Sequence, residues 1–139
     1  MPCPTPPLPA DHDELRLGLM GAGRLVRAAA DEPELFPDAR QELVTFCFDH
    51  LLPHLERDER WLVKARTCPE GGLLADAMRT EARAMTGAVF ELVAAAGPCE
   101  AMAATRVLHS LLAAHAHHEE LLAAAAGHAV VPDPEPGSG

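Results

Sequence analysis

The stretch Phe48-Asp-His-Leu-Leu-Pro-His54-Leu-Glu-Arg-Asp58-Glu-Arg-Trp61-Leu62 sets a histidine and a carboxylate one helical turn apart. On a helix, positions i and i+4 share a face, one above the other, so His54 and Asp58 point the same way. The spacing recurs at His115 and Glu119, and a further histidine, His12, stands near the start of the first helical stretch. Two such pairs plus that histidine form a converging set of nitrogen and oxygen donors. This is the pattern of a carboxylate-bridged metal centre inside a four-helix bundle.

The rest of the chain supplies such a bundle. At 139 residues it is long enough for one domain with a sizeable core. Hydrophobic residues make up 48%, there is no Tyr, and Ala and Leu dominate, which favours helices. Four amphipathic stretches follow: Asp11 to Ala30, Asp38 to Arg66, Leu73 to Ala96, and Pro98 to Ala126. Pro33, Pro37, Pro69, Gly71, Gly72, Gly97 and Pro98 punctuate the connections, and Gly127 is read as the final stop. Short connections make neighbouring helices antiparallel. The expected fold class is therefore all-α, an up-down antiparallel four-helix bundle over residues 11–126. A disordered proline-rich arm over 1–10 and a disordered tail over 127–139 flank it.

The formal net charge of -10 argues against nucleic-acid and anionic-membrane surfaces, which need clustered Lys and Arg. No apolar run approaches the roughly 18 residues of a membrane span, and residues 1–10 do not read as a signal peptide. A cytoplasmic location is expected. The four cysteines lack a Cys-x-x-Cys spacing. Cys68 and Cys99 fall in loops at opposite ends of the bundle and cannot pair with each other, and all four are read as reduced thiols.

The candidate ligands interrupt apolar stripes rather than extending a wet face. His12 shares a stripe with Leu15, Leu19 and Val26. His50, His54 and Asp58 share one with Leu43, Cys47 or Phe46, Trp61 and Ala65. His115 and Glu119 share one with Leu108, Leu112 or Leu111, and Leu122. A buried imidazole or carboxylate needs a partner, and several at one depth need each other or a metal. Depth is countable from the turns at about 1.5 Å per residue. That count places His12, His54, Asp58, Glu81, Ala82, His115 and Glu119 in one layer within about two turns. A hydrogen-bonded polar layer without metal is the alternative.

The remaining histidines carry less. His50 reads as a ligand or a residue behind the ligands, and His118, i+3 from His115, as a residue at the edge of the site. His109, His117 and His128 fall off the stripe or in the tail. Pro53 removes a hydrogen bond and crowds the carbonyl of Asp49, so a kink is expected between His50 and His54, either structural or site-shaping.

With these residues in place, the chain resembles the hemerythrin-like (HHE cation-binding) domains over about residues 11–126. The carriers are His12-Asp-Glu-Leu-Arg16, Phe48 to Leu62 as quoted above, Glu81-Ala-Arg83, and His115-Ala-His-His-Glu-Glu-Leu-Leu122. The resemblance implies a non-haem di-iron centre in an up-down bundle. His12, His54 and His115 match terminal ligands, and Asp58 and Glu119 match bridging carboxylates. Two positions depart from the family. Ala82 stands where a Glu-His-Arg run has its histidine, and Asp58 is shorter than the usual Glu. Glu81, His118 or water is expected to compensate.

The expected function is therefore binding of non-haem iron, as a di-iron or mononuclear centre, with a small-molecule oxidant (dioxygen, peroxide or nitric oxide) bound or sensed, or iron handled. Other readings are a mononuclear site for zinc or another divalent metal, and a metal-poor bundle serving as an interaction module whose protein partner the sequence does not name. No nucleophile–base pair, phosphate loop or nucleotide motif supports dedicated enzyme chemistry beyond turnover of a small oxidant.

Overall fold

The computed structural model describes residues 10–69 and 71–130. Helix α1 spans Ala10–Ala28, α2 Phe36–Phe46, α3 Leu52–Ala65, α4 Gly72–Ala94 and α5 Pro98–Val130. A 3-10 turn, Pro33–Leu35, leads into α2. A π-helical segment, Cys47–Leu51, joins α2 to α3, so the two form one continuous rod. Four helical rods thus pack together: α1 against α2 and α5, α3 against α4, and α4 against α5. Ion pairs fix how neighbours meet: Arg79 reaches Glu59 at 2.8 Å, and Arg66 reaches Asp76 at 2.9 Å, across the turn between α3 and α4.

The helix ends follow local chemistry. Pro37 and Pro53 sit in the first turns of α2 and α3, where the absent N–H has no partner to lose. At the α4–α5 connection Ala95 turns extended. The Glu100 carboxylate accepts from the Ala96 N–H at 3.1 Å, and Arg40 donates to the Ala95 carbonyl at 2.7 Å. Gly127 does not stop α5, which continues to Val130. A glycine costs only about 1 kcal/mol relative to alanine inside a helix, too little to break a long one. Of the two expected tails, residues 1–9 and 131–139 lie outside the described residues.

The π segment resolves the proline problem. An α-helical Pro53 would leave the Asp49 carbonyl without its N–H partner and press the ring against it. Instead the turn widens by one residue, and the Leu52 N–H reaches back to the Cys47 carbonyl. Pro53 then opens a fresh helical segment. Widening also re-aims the side chains. In an unbroken α-helix the seven residues from Leu43 to His50 make nearly two full turns, which would place His50 on the core stripe. In the structure Leu51 takes that place, 1% exposed, and His50 is exposed.

The core divides into two apolar clusters. The larger includes Leu19, Leu43, Cys47, Leu51, Met85, Val89 and Leu108. The smaller consists of Trp61, Leu62, Ala65, Ala75, Met78 and Leu122. Between them, on every rod, lies the polar layer: His12, His54 and Asp58, Glu81, His115 and Glu119. Close approach of α1 to its neighbours depends on two glycines. A Cβ at Gly18 would overlap the Phe46 ring, and one at Gly23 would sit 3.2 Å from Thr105 Cγ2. No described helix is long and apolar enough to cross a membrane.

The cysteines differ in state. Cys47 and Cys99 are free thiols, but Cys68 is disulfide-bonded. The expectation of a reduced thiol at Cys68 is thereby corrected; only its pairing with Cys99 was geometrically excluded. Burial pushes the Cys47 thiol up to about 12. A thiol raised in the fold favours the folded state below its ordinary value of 9.0, and this contribution is lost as pH rises toward 12. At pH 8 only about one Cys47 in ten thousand is thiolate. Exposed Cys99 should therefore alkylate within minutes in native protein, while Cys47 reacts only on unfolding. Mass mapping after a timed iodoacetamide pulse checks this, and fast modification of Cys47 would contradict it.

Candidate metal centre

Each candidate ligand reaches the layer because its helix buries the stripe that carries it. His12 is 8% exposed, His54 2%, Asp58 and His115 0%, and Glu119 2%. These side chains come from α1, α3 and α5. Ionisable groups at this depth are costly unless paired or metal-bound.

Their atoms converge. His115 Nε2 donates to Asp58 Oδ2 across 2.9 Å, and His54 Nε2 lies 3.0 Å from the same oxygen. On the far side, His12 Nε2 lies 2.9 Å from Glu119 Oε2. The His12 and His54 rings meet edge to face with centroids 5.0 Å apart, and the His54 and His115 rings stand at 6.4 Å. One donor atom each from His12, His54, Asp58 and Glu119 falls within 4.8 Å of the others. That buried group could hold a metal ion.

Two features of the cluster are compatible with a metal ion. First, several contacts have distance without alignment. His54 Nε2, Asp58 Oδ1, His115 Nδ1 and both Glu119 oxygens are buried and make no hydrogen bond among the described residues. Buried donor atoms that lie this close together without bonding each other fit coordination. Second, the separations match a coordination sphere. Nitrogen and oxygen donors bind such ions at about 2.0–2.2 Å, so two donors at right angles lie about 3 Å apart. The closest N···O separations here are 2.9, 3.0 and 2.9 Å.

Electrostatics agree with the geometry at Asp58. Burial alone would raise its carboxyl, but the His115 hydrogen bond and the close imidazoles of His54 and His115 outweigh that and hold it at about 2. The carboxylate stays ionised and ready to coordinate.

The outlying candidates divide. Ala82 brings no donor; it is half-buried against the larger cluster. Glu81, beside it, stands at the edge of the layer. Its Oε1 lies 3.7 Å from His115 Nδ1, and its Oε2 lies 2.9 Å from His118 Nδ1. His118 is thus drawn to the site through Glu81, not into the cluster. His50 is not brought in: the π segment turns it outward, where it packs against the Phe46 ring at 5.1 Å. Its place as a ligand is corrected for that reason. His117 is exposed on α5, and the His128 side chain lies outside the described residues.

A cleft of about 360 Å³ opens between α1 and the α2–α3 rod, lined by Leu15, Phe46, Asp49, His50, Pro53 and His54 among others. It brings the surface to a face of His54. Pro53 was the one signal for it, because the widened turn that accommodates the proline forms its rim. Compared with protein-family models, curated proteins and solved structures, the chain matches none of them.

Proposed function

We propose that the polar layer is a non-haem iron centre in a hemerythrin-like up-down bundle, and that the protein binds or senses a small oxidant or handles iron. The observation that carries this reading is the buried convergence of His12, His54, Asp58 and Glu119 within 4.8 Å, with His115 on the other side of Asp58. The pairings Glu59–Arg79 and Arg66–Asp76, together with His12–Glu119, support the up-down order. Mixed imidazole and carboxylate donors suit iron. Bound there, iron would supply redox chemistry toward dioxygen, peroxide or nitric oxide.

The chain's own residues would do the rest. The three histidines and two carboxylates would hold the ion, and Asp58 and Glu119 each have oxygens to share between two positions. Asp58 orients His115 and His54 through its Oδ2. Glu81 stands behind His115, in the place where a carboxylate commonly fixes a ligating imidazole. The apolar clusters on both sides exclude bulk water, and the cleft beside His54 admits a small molecule. Ala82 favours a second form of this reading, a mononuclear centre, in which zinc or another divalent ion competes with iron.

Elemental analysis of protein purified without added metal is the direct test. Iron at about one or more per chain is expected, with most of it lost in His54→Ala and Glu119→Ala variants that keep their helical content. Protein that carries no transition metal and takes up none from added ferrous iron would overturn the reading. Zinc in place of iron would select the mononuclear form.

A further inference from the structure

A second cleft, of about 220 Å³, lies between α1 and α5, away from the metal layer. By the rise of the helix, Arg24 is about 18 Å along α1 from His12. Arg24, Arg27, Arg106 and His109 line it. Each helix contributes two of these residues at i,i+3, so both pairs present one face. Gly23 permits the close approach that forms the floor, since a Cβ there would crowd Thr105.

The charge at this place opposes that of the whole chain. Lys and Arg number 11 against 21 Asp and Glu, yet three arginines share one small cleft. Elsewhere Arg16, Arg66 and Arg79 each have a carboxylate within 3.2 Å and Arg40 donates to a backbone carbonyl, while Arg60 and Arg83, like the cleft arginines, have no such partner among the described residues but do not cluster in one cleft. Among the described residues, no hydrogen bond or ion pair holds the guanidinium of Arg24, Arg27 or Arg106. No carboxylate stands three or four positions from Arg24 or Arg106; Asp31, four positions after Arg27 in the turn beyond α1, is the one acid so placed. Three uncompensated guanidiniums on one cleft repel each other, and an anion among them removes that repulsion. The planar fork of arginine matches phosphoryl oxygens two at a time. The cavity is smaller than the roughly 300–1,000 Å³ that accommodates a typical organic ligand.

From this geometry we infer that the α1–α5 cleft binds a small phosphoryl anion of about the size of pyrophosphate. The inference does not depend on the metal reading. It identifies a positively charged pocket that a net charge of -10 conceals.

Calorimetric titration of the full chain with inorganic pyrophosphate at low ionic strength tests it. One site per chain is expected, weakening as salt is added. A double variant, Arg24→Gln with Arg106→Gln, should bind about tenfold more weakly or worse. A charge-matched control, Lys64→Gln with Arg83→Gln, should bind as the unmodified chain does. Melting curves establish that both variants fold. Absence of binding, or equal loss in the two variants, would overturn the proposal. Binding that survives loss of Arg24 and Arg106 would place the anion elsewhere, including on a metal ion. It would overturn the cleft and leave the metal reading intact. Sedimentation with anionic phospholipid vesicles, without binding of free pyrophosphate, would assign the cations to a membrane surface and equally overturn it.

Discussion

If the layer holds a metal ion as proposed, chelation should lower the melting temperature by about 10–15 °C. The expectation rests on what the layer becomes without an ion. Five ionisable side chains, none more than 8% exposed, lie between two apolar clusters. Of their contacts, the His115–Asp58 bond has hydrogen-bond geometry, whereas both Glu119 oxygens and His54 Nε2 have none among the described residues. An ion that binds only the folded chain stabilises it by about 4 kcal/mol when its free concentration is a thousandfold above Kd. In a domain of this size each kcal/mol moves the melting temperature by a few degrees. The loss should be uneven. His12 occupies the first turn of α1 and meets Glu119 of α5 there. Opening should therefore begin at the start of α1, and hydrogen exchange would show it as lost amide protection. Calorimetry before and after dialysis against a chelator, with recovery on adding iron back, checks the effect. An unchanged melting curve in protein shown to contain iron would place the ion outside this layer.

What the sequence made legible was periodic. Leu15, Leu19 and Val26 on α1, and Leu108, Leu112 and Leu122 on α5, repeat at helical spacing, and all are buried. Because His12, His54, Asp58, His115 and Glu119 fall on the same stripes, their burial could be read in advance. Depth could be read as well, since rise per residue is constant and the turns are marked by prolines and glycines. Departures from periodicity could not. Pro53 signalled a disturbance, but the choice between a bend and a widened turn depends on whether Leu51 or His50 fills the core. That is a packing question. The widened turn removes His50 from the stripe and opens the cleft beside His54. Gly127 was misread because glycine disfavours a helix without forbidding it. The convergence of Arg24, Arg27 and Arg106 was hidden for another reason: a whole-chain charge sums over positions that the fold keeps apart.

Replacing Ala82 by histidine is expected to raise the metal content from about one to about two ions per chain. Ala82 lies on the inward stripe of α4 with Met78 and Met85, level with the ligands of the other rods, and its methyl group cannot coordinate. In the unmodified chain α4 therefore contributes no nitrogen donor to the layer. Its nearest donor, Glu81, has its Oε2 2.9 Å from His118 Nδ1. An imidazole at position 82 would enter a layer where Asp58 and Glu119 are already buried and able to bridge. The opposing effect is steric. Met78 and Met85 are fully buried, and inserting a larger side chain beside them costs about 1–3 kcal/mol. If the second ion binds tightly, its stabilisation exceeds that cost. The variant should then melt lower than the unmodified protein when both are metal-free, and regain the difference when both are loaded. Iron per chain in matched preparations is the decisive measurement. Two tightly held irons in the unmodified protein, with no gain on substitution, would mean that α4 already supplies a donor. Glu81 would be that donor, released from His118 to the metal, and Glu81→Ala would then halve the iron content while Ala82→His left it unchanged.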